Sequence, residues 1–284
     1  MTTGREVFGR TYNLSGVIGQ RLPDDPVELE RLGRSDEVRD ILSVATGQMI
    51  ALRRQGLVQA ALGVVQKVDQ IAESIRQANL ESVEDVLGTL ELQWGIMRQL
   101  AGDLEGSVSP LTRSYTAHMN RAVQFMGAIA ASHASLSFSM MGLNREVAFW
   151  LERRERLPEI GGWVGEVSHV PADVAKALAA LDRLDRPAAQ AALQAIEVLH
   201  QNEEFWAFVA YAFAQYELVF GHLHEGLSRL DRSEFHLRGQ GRASGDGISS
   251  YLMDAAAVDL HLAAGQGSRA DALLNLRGSG HPLW

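Results

Sequence analysis

The stretch Leu92-Gln93-Trp94-Gly95-Ile96-Met97-Arg98-Gln99-Leu100-Ala101-Gly102-Asp103-Leu104-Glu105-Gly106-Ser107-Val108 reads as the turn of a helical hairpin, and the rest of the chain repeats its pattern. A glycine at position 102 takes the left-handed conformation that closes a helix C-terminus without a Cβ clash. Asp103 follows where a short polar side chain helps to start the next helix. Gly95, seven residues before the turn, and Ser107, five after it, are small where two antiparallel helices cross closely. Together these features predict the helix-turn-helix unit of a tetratricopeptide-like repeat.

The same grammar recurs along the chain. With the turn residue as marker, the units are set by Gly56, Gly102, Gly142, Arg186 within Asp185-Arg186-Pro187, Gly221 and Gly265, spaced by 46, 40, 44, 35 and 44 residues. Five residues after each marker stands a compact residue: Ala61, Ser107, Val147, Ala191, Gly226 and Ala270. Seven before, Gly95, Ser135, Ala179 and Ala214 are small, whereas Met49 and Val258 are larger. The expected fold is all-α, a tetratricopeptide-like superhelix of about six antiparallel helical hairpins over residues 27–276. An irregular N-terminal segment, 1–26, precedes it and a truncated tail, 277–284, follows.

Apolar spacing of three to four residues places the helix pairs at 41–54 and 57–77, 83–100 and 104–119, 122–141 and 146–156, 172–182 and 188–199, 203–220 and 223–232, and 248–264 and 269–276. Residues 157–171 hold Pro158, Pro171, Gly161, Gly162 and Gly165, a composition that reads as a break in the helices. That loop is expected to divide the array into sub-halves 27–156 and 172–276, with Trp163 as its apolar plug.

Composition narrows the function classes. Hydrophobic residues make up 46% of the 284, enough for a core, and the formal net charge is −9, which argues against a nucleic-acid or membrane-binding surface. There is no cysteine, so thiolate chemistry and cysteine-based zinc sites are excluded. The first 20 residues lack an apolar signal core, and a cytoplasmic location is expected. Residues 122–144 carry no charge, yet Gln124, Ser132, His133, Ser135, Ser137 and Ser139 make them too polar for a lone membrane span.

Several runs resemble a known family. Leu92-Gln93-Trp94-Gly95 through Ala101-Gly102-Asp103-Leu104-Glu105-Gly106, Trp150-Leu151-Glu152-Arg153, Gly161-Gly162-Trp163, Ala179-Ala180-Leu181-Asp182-Arg183-Leu184-Asp185, and Tyr211 through Phe220-Gly221 to Glu225-Gly226-Leu227-Ser228-Arg229-Leu230-Asp231 carry the likeness. The chain from about residue 40 onward resembles the helical-repeat region of large actinobacterial LuxR-type, maltose-regulator-like transcriptional regulators. In that family a nucleotide-binding module precedes the repeats and a helix-turn-helix DNA-binding domain follows them. The resemblance implies a sensor and protein-interaction segment in transcriptional control, and a chain that is the middle of such a regulator. No Gly-x-x-x-x-Gly-Lys-Ser/Thr phosphate loop and no basic C-terminal helix-turn-helix stand in this sequence, so no ATP-site or DNA-site residue carries over.

Other clusters read as structure. His222-Leu223-His224-Glu225 is not at helical i, i+4 spacing for a metal, and Asp182, Asp185 and Glu203-Glu204 have no nucleophile beside them. Residues 239–247 lack the lysine and strand of a phosphate cradle, and Arg153-Arg154-Glu155-Arg156 reads as a solvated last helical turn. The aromatic group Phe205, Trp206, Phe208, Tyr211, Phe213, Tyr216 and Phe220 is divided between a core face and a possible groove face. No catalytic, cofactor or metal residue is assigned. The leading reading is a non-enzymatic module whose concave groove, lined by Ile96, Gln99, Ser132, Ser139, Tyr211 and Gln215, binds a small effector or a peptide. The alternative is a stand-alone repeat scaffold or peptide-binding adaptor that assembles with itself or a partner protein and takes no small ligand.

Overall fold

In a computed structural model, which describes residues 35–78, 80–119, 124–158, 162–197, 205–239 and 247–277, the chain is all-helical, with twelve α-helices among the described residues. They are α1 (Ser35–Arg54), α2 (Val58–Ala78), α3 (Glu84–Ala101), α4 (Leu104–His118), α5 (Gln124–Met140), α6 (Asn144–Glu155), α7 (Gly162–Asp182), α8 (Arg186–Glu197), α9 (Trp206–Phe220), α10 (Leu223–Gly239), α11 (Ile248–Ala263) and α12 (Gly267–Arg277). A short 3-10 turn, Glu81–Val83, leads into α3. Consecutive helices pair as six antiparallel hairpins, odd-numbered helices first.

One turn chemistry closes all six hairpins. Gly56, Gly102, Gly142, Leu184, Gly221 and Gly265 have φ of 74°, 91°, 71°, 56°, 85° and 71°. The N–H of the next residue then reaches back five positions, as in Leu57 to Leu52 O at 3.0 Å, Asp103 to Arg98 O at 2.9 Å and Gln266 to His261 O at 2.8 Å. That same residue's carbonyl accepts the first helical N–H of the second helix, from Ala61, Ser107, Val147, Ala189, Gly226 and Ala270. The orphan groups at two helix ends are thereby satisfied within a single connecting residue. Asp103 adds a side-chain cap, its Oδ1 accepting from Gly106 N at 2.9 Å.

The fourth marker is therefore Leu184 rather than Arg186, which instead opens α8. The spacings become 46, 40, 42, 37 and 44 residues, from positions 56, 102, 142, 184, 221 and 265. With this correction the compact positions of the fourth unit are Ala177 and Ala189, both fully buried, instead of Ala179 and the exposed Ala191. A left-handed leucine costs roughly 1–2 kcal/mol, so composition gives no hint of it. The flanking closure imposes it: Asp185 N–H bonds Ala180 O at 2.9 Å, and Asp185 Oδ1 caps Ala188 N at 3.1 Å.

The expected break at 157–171 is shorter than its composition suggests: α6 ends at Glu155 and helix resumes inside it. α7 begins at Gly162 and runs through Pro171 to Asp182. A proline inside a helix forfeits one hydrogen bond and crowds the preceding turn, at about 3 kcal/mol. Here Val170, Ala172, Val174 and Ala177 are all buried, and α7 packs extensively along α5, so tertiary burial outweighs the local penalty. The main core cluster runs unbroken from Val58 to Leu252, so it joins the sub-halves 27–156 and 172–276. The Trp163 side chain lies outside the described residues.

The first helices form the inner wall. α3 packs on α1 and α5, α5 on α7, α7 on α9 and α9 on α11, and α11 returns to touch α3. At that closure a Cβ on Gly247 would lie 2.7 Å from the Leu100 carbonyl oxygen. The superhelix is wound so tightly that its concave side is filled with its own side chains. This explains why α5 and α9 are apolar or small around most of their circumference rather than along one stripe. Among the described residues no helix is long and apolar enough to cross a membrane.

Candidate functional site

Four of the six residues expected to line a concave groove are core. Ile96, Gln99, Ser132 and Ser139 are 3%, 0%, 1% and 8% exposed, and Tyr211 and Gln215 are half-buried. Gln99 belongs to a buried polar network that ties α3 to α5. Its Nε2 donates to His133 O at 3.0 Å and Ser137 Oγ at 2.7 Å, and its Oε1 accepts from His133 Nδ1 at 2.8 Å. Ser107 of α4 joins through Ser137 Oγ at 2.7 Å. Burial, with the Arg53 charge adding to it, pushes the His133 imidazole down to about 3. It is a neutral structural group, with its ring against Phe205 at 4.8 Å. The hydroxyls of Ser132 and Ser139 donate to their own helix, at Ala128 O and Leu136 O.

An open cleft lies elsewhere, between the second helices of the first two hairpins. α2 and α4 stand apart over α3, leaving a cavity of about 260 Å³. Its apolar walls are Ile75, Leu80, Leu87 and Ala117, and Thr112 and Thr116 line the α4 side. Gly88 sets its depth: a Cβ there would lie 2.6 Å from Ala117 Cβ, so α3 and α4 meet at that point with no side chain between them.

A buried carboxylate forms the polar floor. The Glu91 side chain is 2% exposed and accepts from Arg113 Nε at 3.0 Å on Oε1 and from Arg113 Nη2 at 2.7 Å on Oε2. Arg76 Nη1 donates to Oε1 from the opposite wall. Such a carboxylate is tolerated only with charged, hydrogen-bonded partners. Both guanidiniums are held in turn. Arg76 gives Nε and Nη2 to Glu73 at 3.0 and 2.8 Å, with Asp69 at 3.7 Å, and Arg113 gives Nη1 to Ser109 Oγ at 2.7 Å. The Arg76 hydrogen bond, foremost, holds Glu73 below the usual carboxylate range. Arg113 and Arg98 lie 5.8 and 5.2 Å from the Trp94 ring centre, which stiffens the back of the cleft.

The remaining sequence candidates are structural parts. His222 Nδ1 meets Glu217 Oε2 at 2.8 Å, His224 and Glu225 are exposed, and no cluster of three or more metal-ligating side chains occurs among the described residues. Asp182 accepts from Asn144 Nδ2 at 2.9 Å. Arg153 stacks over Phe149 at 4.2 Å and over Tyr115 and Trp150 at 5.4 and 5.7 Å, so its face is occupied by aromatic rings rather than open to an anion. Along α9 and its cap most of the aromatic group is buried: Phe205, Trp206, Phe208, Phe213 and Tyr216 all lie at 8% exposure or below, and Tyr211 and Phe220 are half-buried. Glu203, Glu204 and residues 240–246 fall outside the described residues.

The cleft residues escaped the sequence reading because Arg76, Glu91 and Arg113 are 15 and 22 residues apart on three helices, with no local spacing to link them. One signal was present. Glu91 stands between Leu90 and Leu92 on a helix face where the period calls for an apolar residue. A carboxylate there implies a charged partner from another element. No protein-family model matches the chain, and no curated protein matches it.

Proposed function

We propose that the chain is a non-enzymatic helical-repeat module that binds a small effector or peptide segment, the role implied by its resemblance to the repeat region of LuxR-type regulators. The ligand enters the cleft between α2 and α4 rather than the filled concave side. One observation carries this reading: an apolar-walled cavity of about 260 Å³ whose floor is a carboxylate fixed from two sides by guanidiniums. Its size is just below the usual range for small-molecule sites, roughly 300–1,000 Å³, and its make-up of apolar walls with few oriented polar groups is typical of them. The array supplies a mechanism for transmission. α3 touches α1, α5 and α11, so a ligand that shifts α2 against α4 bears on both ends of the inner ring.

The test is a fragment screen on the full chain by ligand-observed NMR, repeated on Thr116→Trp. Thr116 lines the cleft and is exposed, so the indole fills the cavity without entering the core. The reading requires hits that this variant abolishes; hits that it leaves unchanged would refute the cleft as the ligand site.

A second reading, a scaffold that assembles with a partner protein, is favoured by the hairpin rim. Of the seven exposed large apolar side chains among the described residues, Leu57, Leu143, Leu184, Val219 and Leu262 lie within three residues of a turn marker. Leu57→Glu with Leu143→Glu separates the readings. It abolishes self-association or partner capture if the rim is the interface and leaves cleft binding intact.

A further inference from the structure

We propose that Arg153 anchors a second ligand site, on the outer surface where α6 meets α4, and that this site takes a carboxylate carried on an aromatic or aliphatic body. It is separate from the cleft between α2 and α4 and does not depend on the reading of that cleft.

Three rings hold the guanidinium. Its Cζ lies 4.2 Å from the ring centre of Phe149, 5.4 Å from that of Tyr115 and 5.7 Å from that of Trp150. The rings brace one another edge to face, Tyr115 with Trp150 at 5.4 Å and Phe149 with Trp150 at 5.7 Å. Tyr115 and Trp150 are buried, whereas Phe149 is 47% exposed. The rotamer freedom that a long side chain gives up on meeting a ligand is therefore already lost in folding.

The rings cover the face of the guanidinium and leave its N–H donors, which lie on the edge. Among the described residues Nε is buried with no hydrogen-bond partner, and neither Nη bonds a protein atom; unlike Nε, both Nη are open to solvent. Arg98 and Arg113 make the contrast. They too lie over a ring, that of Trp94, yet each holds a carboxylate, Asp103 and Glu91, both at 2.7 Å. Arg153 has the rings without the carboxylate, and its surroundings do not supply one. Glu152 is taken by Arg156, Glu146 stands behind Phe149 two turns away, about 10 Å along the axis, and the single carboxylate of α4, Glu105, is ten residues before Tyr115. The next residue, Arg154, adds a second cation, whose Nη2 meets His169 Nε2 at 3.5 Å.

Geometry sets the class. The reachable donors are the Nη groups at the end of the fork, whose parallel N–H bonds match the two oxygens of a carboxylate. Water excluded from the ring side strengthens that attraction. Phe149, four residues before Arg153 and about 6 Å away along the axis, presents its exposed ring to the body of the ligand. A link of two carbons between an aromatic ring and a carboxylate spans that interval.

The experiment titrates the full chain with 3-phenylpropionate, 3-phenylpropanol and 3-phenylpropylammonium, which share one ring and differ in the head group, followed by amide chemical shifts. The carboxylate is expected to bind about fivefold more tightly than the alcohol at physiological salt, and the ammonium more weakly than either. Arg153→Gln is expected to bring carboxylate and alcohol to equal affinity, and Arg153→Lys, which keeps the charge but not the planar fork, to retain a smaller preference than the parent. Arg156→Gln removes an exposed cation of the same helix and is expected to leave the preference unchanged. A carboxylate no tighter than the alcohol, a preference that survives Arg153→Gln, or one that falls equally with Arg156→Gln overturns the inference. Inorganic phosphate binding as tightly as 3-phenylpropionate overturns the assignment to carboxylates. A last arm, N-acetyl-Phe-Glu-Phe amide, identifies the source of the carboxylate. Tighter binding than 3-phenylpropionate points to a side chain of a partner peptide, and weaker binding to a free small acid; either order, lost in Arg153→Gln, supports the inference.

Discussion

Gly95→Ala measures directly how closely the hairpin that organises this fold is packed. A Cβ at position 95 would lie 2.5 Å from Leu111 Cγ, 2.7 Å from Leu111 Cδ2 and 3.2 Å from the Ser107 carbonyl oxygen. Carbon contacts are comfortable at about 3.5–4.0 Å, so α3 and α4 must separate by roughly 1 Å or Leu111 must leave its rotamer. Leu111 is 0% exposed and has nowhere to go. Overpacking of this kind costs about 1–3 kcal/mol, offset by about 1 kcal/mol from replacing glycine by alanine inside a helix. Because Leu111 is fully buried, the overpacking falls in the upper part of that range, about 2–3 kcal/mol, so the expected net loss is about 1–2 kcal/mol, read as a lower urea midpoint followed by circular dichroism. Gly47→Ala is the control. Gly47 is exposed within α1 and a Cβ there meets nothing within 4 Å, so the same substitution should stabilise by about 0.5–1 kcal/mol. Adding Leu111→Ala to Gly95→Ala should cost less than Leu111→Ala costs the parent, because the new methyl occupies part of the vacated space. A Gly95→Ala chain as stable as its parent would refute the close crossing of α3 and α4.

Leu184→Gly should stabilise by about 0.5 kcal/mol, because relief of a left-handed leucine outweighs the added freedom of the unfolded chain; a fall in thermal midpoint would contradict the assignment of that turn. Glu91→Ala should cost roughly 2–3 kcal/mol. That lies below the 3–5 kcal/mol typical of a broken buried pair because the Arg113 side chain is 37% exposed and water can take over its charge; a loss under about 0.5 kcal/mol would show that Glu91 does not organise the cleft. Acid stability should report His133. The unfolded chain binds a proton below about 6.5 that the native state refuses until about 3, so this contribution is whole above pH 6.5 and is lost as pH falls toward 3. His133→Asn should flatten the urea midpoint between pH 6.5 and 4.5; an unchanged slope would place the titration elsewhere.

Local chemistry carries far. The left-handed closures at Gly56, Gly102, Gly142, Gly221 and Gly265 were legible as glycines, and Asp103 as a cap, because each depends on backbone sterics and bonds within about five residues. The small pairs that let hairpins close, such as Gly95 with Ser107, follow from the same register. What local chemistry cannot state is which penalty a distant surface will absorb. Leu184 takes a strained conformation and Pro171 sits inside α7 because closure of the fourth hairpin and packing on α5 compensate them. The fate of the inner wall is the largest case. Ile96, Gln99, Ser132 and Ser139 occupy first-helix positions that line an open groove only if the superhelix is loosely wound. Winding is the sum of small angles between successive hairpins, each set by side-chain volumes from two units, and no window of sequence contains that sum. Here it brings α11 back onto α3 and turns the expected groove into core. The cleft has the same origin. Arg76, Glu91 and Arg113 meet because α2 and α4 diverge over α3, so the sequence by itself determined the hairpins and their turns, and the tertiary winding decided which polar residues they bury and which they leave open to a ligand.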